Sequence, residues 1–401
     1  MFVFILVNLL LISPPNYRIT ISAGGIDRIN SVISFPLPDT FPAGEFVADV
    51  SGMSTRSSLS TCLIQVDENG TAWMLLDNLK AGSEITLLFK GILNEDSSGM
   101  RAMATFHDQT IALTSNGRDV LQFYQGLNEP PEELDDRYRR GGYIHPVKTP
   151  SGTVLSGHLH PLKHSHHSGI WSAWTNTIFQ GRNPDFWNFQ LDRGRVDLDT
   201  FLTSWSGSVH AGLESVNRFT DLTSGSPIPV LLEHWELRAY AVPVEAGVHV
   251  FDLILTQTVN DGDPLLLPEY LYGGVGFRAH PDWDDTSTTR ILTSEGLGRL
   301  EGHASRAKWF HAGGFTDGKQ GGIAVLGHPT NFRFPQPMRL HPTEPFFMFA
   351  PTQLGDMSIQ PGTPYVTRYR YVTYDGEPDA ALIERLWMDF AYPVGVTVER
   401  Q

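Results

Sequence analysis

Short runs in which apolar and polar residues alternate, each closed by glycine, proline, asparagine or aspartate, recur along the chain. They limit what it can fold into more than any other feature. Tyr365–Tyr374 (YVTRYRYVTY) alternates aromatic or β-branched residues with polar ones, and Val230–Val242 and His249–Val259 are longer and similarly rich. A period of two sends successive side chains to opposite faces of a strand, so such runs predict strands with one face on a core. Thr61–Val66 and Thr71–Leu76 flank DENG, whose Asn69-Gly70 pair predicts a hairpin turn. Glu84–Phe89, Thr110–Thr114, Val120–Tyr124, Leu265–Phe277, Gly322–Leu326 and Phe346–Phe349 extend the pattern.

Only Asp379–Phe390 (DAALIERLWMDF) reads as a helix, with Asp379 as its cap and Leu382, Leu386 and Phe390 on one stripe. The 38 glycines and 27 prolines are spread along the chain as turns rather than gathered in a repeat. The expected fold is all-β: a large antiparallel β-sandwich, preceded by a small N-terminal β unit and closed by one C-terminal helix. The charged, proline-containing stretch LNEPPEELDDRYRR (127–140) predicts the connection, giving a β unit over 15–125 and a sandwich over 126–401. Residues 1–14 hold an apolar run, Phe2–Ile12, too short to span a bilayer as a helix; it is a signal or anchor, a buried strand or a mis-called start. Cytoplasmic and exported locations are both open. No other segment is a membrane span.

A formal net charge of −15 excludes a nucleic-acid partner, which needs a basic surface. The one cysteine, Cys62, excludes an intrachain disulfide and a cysteine-rich zinc module.

Chemistry concentrates in GHLHPLKHSHHSGIWSAW (157–174), where five of the fifteen histidines fall between His158 and His167. On an extended backbone His164 and His166 share a face, and His167 follows them. Three imidazoles beside Trp171 and Trp174 are costly to bury without a purpose. Imidazole serves acid–base chemistry, substrate binding or metal ligation. The non-metal role is preferred, because no acidic or cysteine ligand stands at a diagnostic spacing. The alternative is a Zn, Cu or Fe site on His164, His166 and His167, which His145 could join. Trp171, Trp174 and Trp187 offer flat platforms for sugar rings. NFRFPQPMRLHPTE (331–344) holds Asn331, Arg333, Gln336, Arg339, His341 and Glu344 on a proline-stiffened backbone suited to a polar ligand. In PEYLYGGVGFR (268–278), Glu269 among apolar and aromatic residues is either a desolvated catalytic base or the partner of Arg278.

The segments YIHPVKTPSGTVL, HSHHSGIWSAW, FQGRNPDFWN, LPEYLYGGVGFR, HPTNFRFPQPMRLHPTEPFFMFAP and YRYVTYDG resemble a bacterial family catalogued as "methane oxygenase PmoA", from about Tyr138 to Phe390. The resemblance implies a soluble sandwich similar to the sugar-binding sheets of galactose mutarotase-like folds. It covers His145, His164, His166, His167, Trp174, Asp185, Trp187, Asn188, Glu269, Arg333, His341 and Glu344. It does not cover His158 and His160, and Lys163 and Ser168 depart from the family's pattern.

These readings converge on a carbohydrate-active protein, expected to be an enzyme of epimerase, lyase or hydrolase type acting on a small-molecule or oligosaccharide substrate. His164 or His167 would work with Glu344 or Glu269 as the acid–base pair. His145, His166, Trp174, Asp185, Trp187, Asn188, Arg278, Asn331, Arg333 and His341 would bind substrate. No cofactor is expected. The alternatives are a non-catalytic glycan-binding module and a histidine-ligated metal enzyme, the latter following the family's oxygenase label. The oligomeric state is not legible.

Overall fold

The alternating segments form strands in a computed structural model that describes residues 17–39, 41–52, 61–93, 101–159, 163–259 and 262–401. The apolar run Phe2–Ile12 and His160 lie outside the described residues. The chain divides into two compact units.

The smaller unit joins the described part of Met1–Gly99 to Pro393–Gln401. Its strands are β1 (Tyr17–Ser22), β2 (Arg28–Pro36), β3 (Gly44–Ser51), β4 (Thr61–Val66), β5 (Thr71–Leu79) and β6 (Glu84–Ile92). They pair in the order β2-β5-β4-β3-β6-β1, and the closing strand Gly395–Arg400 adds to β1. Alternate residues such as Ile19, Ile21, Phe46, Ile64, Met74 and Leu87 meet in one core. The hairpin at Asn69-Gly70 forms as the sequence predicts: Gly70 takes φ +75°, and Asp67 Oδ1 accepts the N–H groups of Asn69 and Thr71.

The larger unit, Met100–Tyr392, is an all-β antiparallel sandwich. Its first strands are β7 (Ala102–Phe106), β8 (Thr110–Ser115), β9 (Arg118–Tyr124), β10 (Ile144–Val147) and β11 (Ile170–Ala173). Next come β12 (Gly194–Trp205), β13 (His210–Asp221), β14 (Ile228–Tyr240), β15 (Val248–Val259), β16 (Leu265–Leu267), β17 (Gly274–Arg278) and β18 (Arg290–Thr293). The last are β19 (Trp309–Thr316), β20 (Lys319–Gly327), β21 (Met338–Leu340), β22 (Phe346–Phe349), β23 (Met357–Ile359) and β24 (Tyr365–Asp375).

One eight-stranded sheet runs β21-β22-β17-β11-β10-β9-β8-β7 and a second runs β12-β13-β14-β15-β24-β20-β19-β18. Their inner faces meet through Phe123 and Trp235, through Phe349 stacked on Tyr369, and through a buried polar joint. In that joint Glu233 on β14 accepts hydrogen bonds from Ser172 Oγ on β11 (2.6 Å), Trp235 Nε1 (2.6 Å) and Gln257 Nε2 on β15 (2.5 Å). Burying each aromatic here contributes about 1.5–3 kcal/mol.

Three details differ from the sequence reading. Residue 125 is not where the units part. Strands β7, β8 and β9 continue the first sandwich sheet into β10, where Ile144 pairs with Phe123, and Gly395–Arg400 belongs to the smaller unit. Val394, Val396 and Val398 explain the second point, since they pack on the smaller unit's core. Helix α1 (Arg299–Gly302) is a single turn, and α2 (Ala380–Ala391) is the expected helix, with Asp379 accepting from the N–H groups of Ala381 and Leu382. Its buried stripe is Ile383, Leu386 and Trp387 rather than Leu382, Leu386 and Phe390. Finally, Leu265–Phe277 is not one strand. β16 pairs with β23 in a separate two-stranded sheet, and the chain enters the first eight-stranded sheet only at β17, where Gly273 and Gly274 take φ +148° and +105°.

Candidate functional site

Strand alternation decides which side chains reach the outer face of the first sheet. Ser172 and Phe277 point inward, so Trp171 on β11 and Gly276 and Arg278 on β17 point outward. The register aligns Trp171 with Gly276 and Met348, and Arg278 with Phe346. The outer face therefore carries an indole, a glycine gap and a guanidinium on neighbouring strands.

The histidine segment is a loop pinned across that face. The N–H of Arg278 donates to Gly169 O (2.7 Å), and that of Gly157 donates to Arg278 O (2.8 Å). Within the loop the N–H of His167 donates to His164 O (2.9 Å), closing a turn in which His164 takes φ +53°. The turn lays the rings of His164 and His167 face to face. His167 also stacks on Trp171, 4.6 Å between centroids, and meets Trp187 and Phe346 edge-on. Trp171, Trp187 and Tyr272 continue the aromatic wall, and a Cβ on Gly276 would press into both indoles.

Charged groups close the other side. His164 Nδ1 lies 4.0 Å from Glu344 Oε2, and Lys163 Nζ lies 3.5 Å from Glu344 Oε1 and 3.4 Å from Asp284 Oδ2. Arg278, 1% exposed, stands 3.5 Å from Asp284 and 4.0 Å from Glu344. His341 holds Glu344 in place: its Nδ1 accepts the N–H groups of Thr343 (3.3 Å) and Glu344 (2.9 Å), which puts the ring proton on Nε2.

Burial pushes these imidazoles toward the neutral form. His166 falls to about 3 and His341 to about 4, and His167 lies well below its ordinary value. His164 is lowered by burial and by the Arg278 cation, against the pull of Glu344. Among the described residues, the buried polar atoms without a hydrogen-bond partner include a group at this cluster: both ring nitrogens of His167, His164 Nδ1, Trp171 Nε1, Glu344 Oε2 and all three guanidinium nitrogens of Arg278. Buried polar atoms are usually paired, so these are the atoms that would meet a polar ligand.

The structure thus brings together His164, His166, His167, His341, Glu344, Arg278 and Trp187. Other expected site residues lie elsewhere. Glu269 is exposed rather than desolvated and meets Asp356 only through its backbone N–H, because the chain between β16 and β17 stands off the sheet. The carboxylates nearest Arg278 are accordingly those of Asp284 and Glu344, neither of which it hydrogen-bonds. Asn331 is tied to the backbone of Arg368, and Arg333 donates to the carbonyls of Pro351, Gly355 and Asp356. Both brace loops. Asp185 accepts from the N–H groups of Trp187 and Asn188 and from the Asn188 and Thr175 side chains, so Asp185 and Asn188 shape the turn that presents Trp187. Trp174 is buried with its Nε1 on Gln257.

His145 bonds Ser156 Oγ and belongs to a second stack, with Tyr143 and His158. His158 Nε2 lies 2.7 Å from Asn128 Nδ2, so it is engaged there rather than in the candidate site. Sequence reasoning did not single out Lys163, Asp284, Arg299 or Phe346 as site residues. For Asp284 the available signal was the acidic run Asp282–Asp285 just after Arg278.

The rings of His164 and His167 present faces to each other, and among the described residues no group of three His, Cys, Asp or Glu side chains is placed to hold a metal ion. No described helix is long and apolar enough to cross a membrane.

Residues 110–388 match the model of a family described as a family of unknown function, DUF6807. That description assigns no activity, in place of the methane-oxygenase name that the sequence resemblance suggested. No curated protein matches the chain. Among solved structures, an alpha-mannosidase from Enterococcus faecalis V583 is similar at 8% identity and a TM-score of 0.42, over 96% of this chain and 46% of that one. A protein in glycosyl hydrolase family 38 from Enterococcus faecalis is similar at 8% identity and a TM-score of 0.36, over 96% and 47%. The chain spans less than half the length of either.

Proposed function

Because the chain belongs to the DUF6807 family, whose function is unknown, we propose its role from the site itself: a carbohydrate-active enzyme using His164 and Glu344 as an acid–base pair. The supporting observation is the 4.0 Å approach of the His164 imidazole to the Glu344 carboxylate beside a wall of Trp171, Trp187 and Phe346. Indole and phenyl faces pack on the apolar face of a sugar ring, while the unpaired polar atoms meet its hydroxyls.

His164 is a third exposed and its pKa is lowered, so at neutral pH it is an unprotonated imidazole able to take a proton from substrate. Glu344, held by His341 and flanked by Lys163, is the carboxylate counterpart that orients the imidazole and stabilises the imidazolium formed when it takes that proton, which the imidazolium then returns as general acid. His167 is fully enclosed and serves as wall and hydrogen-bonding group rather than as the mobile base. Glu269 takes no part in the pair. Such a pair can run epimerisation, β-elimination or hydrolysis.

The test is product formation by mass spectrometry on a panel of mono- and oligosaccharides, with the wild type, His164→Asn and Glu344→Gln. A product from the wild type that falls by about 10²–10⁴-fold in either variant is expected. Wild-type turnover in both variants overturns the assignment. Saturable glycan binding without product marks a glycan-binding module instead.

A further inference from the structure

Taking the carbohydrate reading of this site as its basis, we propose that the substrate is a carboxylate-bearing sugar, a uronic acid, with its carboxylate received by Arg278. The chain as a whole is acidic, at −15. Around the stacked histidines the balance reverses. Lys163, Arg278, Arg299 and Arg339 face this cluster, against Asp284 and Glu344. The histidines add no charge, being held neutral by burial.

Arg278 differs in geometry from a structural ion pair. The same unit contains a structural pair for comparison. Arg370, also buried, makes two hydrogen bonds to Asp252, at 2.7 and 2.9 Å. Arg278 makes none: its carboxylate neighbours stand 3.5 and 4.0 Å away, close enough to attract and too far to bond. Its Nε, Nη1 and Nη2 are buried and unpartnered among the described residues, as are Arg299 Nη2 and Arg339 Nε. A guanidinium is a rigid fork of donors that stays protonated, and a carboxylate is the group that meets two of them at once. A neutral sugar offers hydroxyls, which leave the excess positive charge uncompensated in a desolvated place.

The experiment is calorimetric titration of the full chain with glucuronate and galacturonate, against glucose and galactose at equal ionic strength. The uronates are expected to bind at least about tenfold more tightly than the neutral sugars. That preference is expected to vanish in Arg278→Gln. Arg339→Gln, at a partly exposed position that leaves the core untouched, guards against misfolding. It is expected to weaken uronate binding about threefold or more. Neutral sugars binding as tightly as uronates overturns this inference and leaves the carbohydrate reading standing. Binding of neither kind overturns both.

Discussion

The imidazole of His164 lies flat on that of His167, 4.9 Å between ring centres and 7° between planes, with its Nδ1 turned toward Glu344. One ring is a third exposed and the other enclosed, so a single loop supplies both a reachable imidazole and the wall behind it. The turn between them is set by the His167 N–H to His164 O hydrogen bond and anchored by the backbone of Arg278.

His341 acts through Glu344, by receiving its N–H on Nδ1. His341→Ala is expected to lower kcat about tenfold with little change in KM, since an oriented carboxylate is lost rather than a substrate contact. Asn can offer an acceptor oxygen at the same turn, so His341→Asn is expected to restore most of the rate. Equal losses in Ala and Asn, or a loss confined to KM, contradict the positioning role.

Acid lability follows from the buried imidazoles. Burial lowers His145 and His249 to about 4, and His158, His166, His210 and His311 to about 3. Unfolded histidines titrate near about 6.5, so between these values the unfolded chain binds protons that the folded chain refuses. Stability is therefore full above about pH 6.5 and falls as the pH drops toward 4. Thermal melts from pH 7.5 to 4.5 check this: a steep fall in Tm below 6.5 is expected, and a flat Tm contradicts it.

Much of this was legible in the sequence, for a physical reason. Strand alternation is a local property, so segments such as Tyr365–Tyr374 and Val230–Val242 announce themselves, as does Asp379 at the start of its helix. The histidine cluster was legible from its density, and Glu344 from its place among prolines. Partnership across the fold was not. Glu269 and Arg278 are close in sequence, yet the excursion between β16 and β17 exposes the first, and the pairing of β17 with β11 and β22 buries the second. Asn331 and Arg333 look like ligand-binding groups in a list of residue types, but only the folded loop shows that backbone already occupies them. Gly395–Arg400 escaped notice because its partner strand β1 stands at the other end of the chain.

Gly276 leaves the gap in which two indoles meet. A Cβ there would stand 2.9 Å from Trp171 and 3.1 Å from Trp187. Gly276→Ala is expected to cost about 1–3 kcal/mol and to shift the tryptophan emission. Saccharide affinity should fall with it, and an unchanged affinity means that these indoles do not touch the ligand.

Glu233 joins the two sandwich sheets. Glu233→Ala strands the donors of Ser172, Trp235 and Gln257 in the interior, and a loss of at least about 3 kcal/mol in urea unfolding is expected. A variant as stable as the wild type contradicts the joint's role in holding the sheets.

The central claim is that His164 and Glu344 work as one acid–base unit on a sugar. A double-mutant cycle on kcat/KM with His164→Asn, Glu344→Gln and the pair tests it most directly. The account predicts that the double variant is about as slow as either single one, as for residues that act together. Single losses that multiply, or single variants as fast as the wild type, would contradict it.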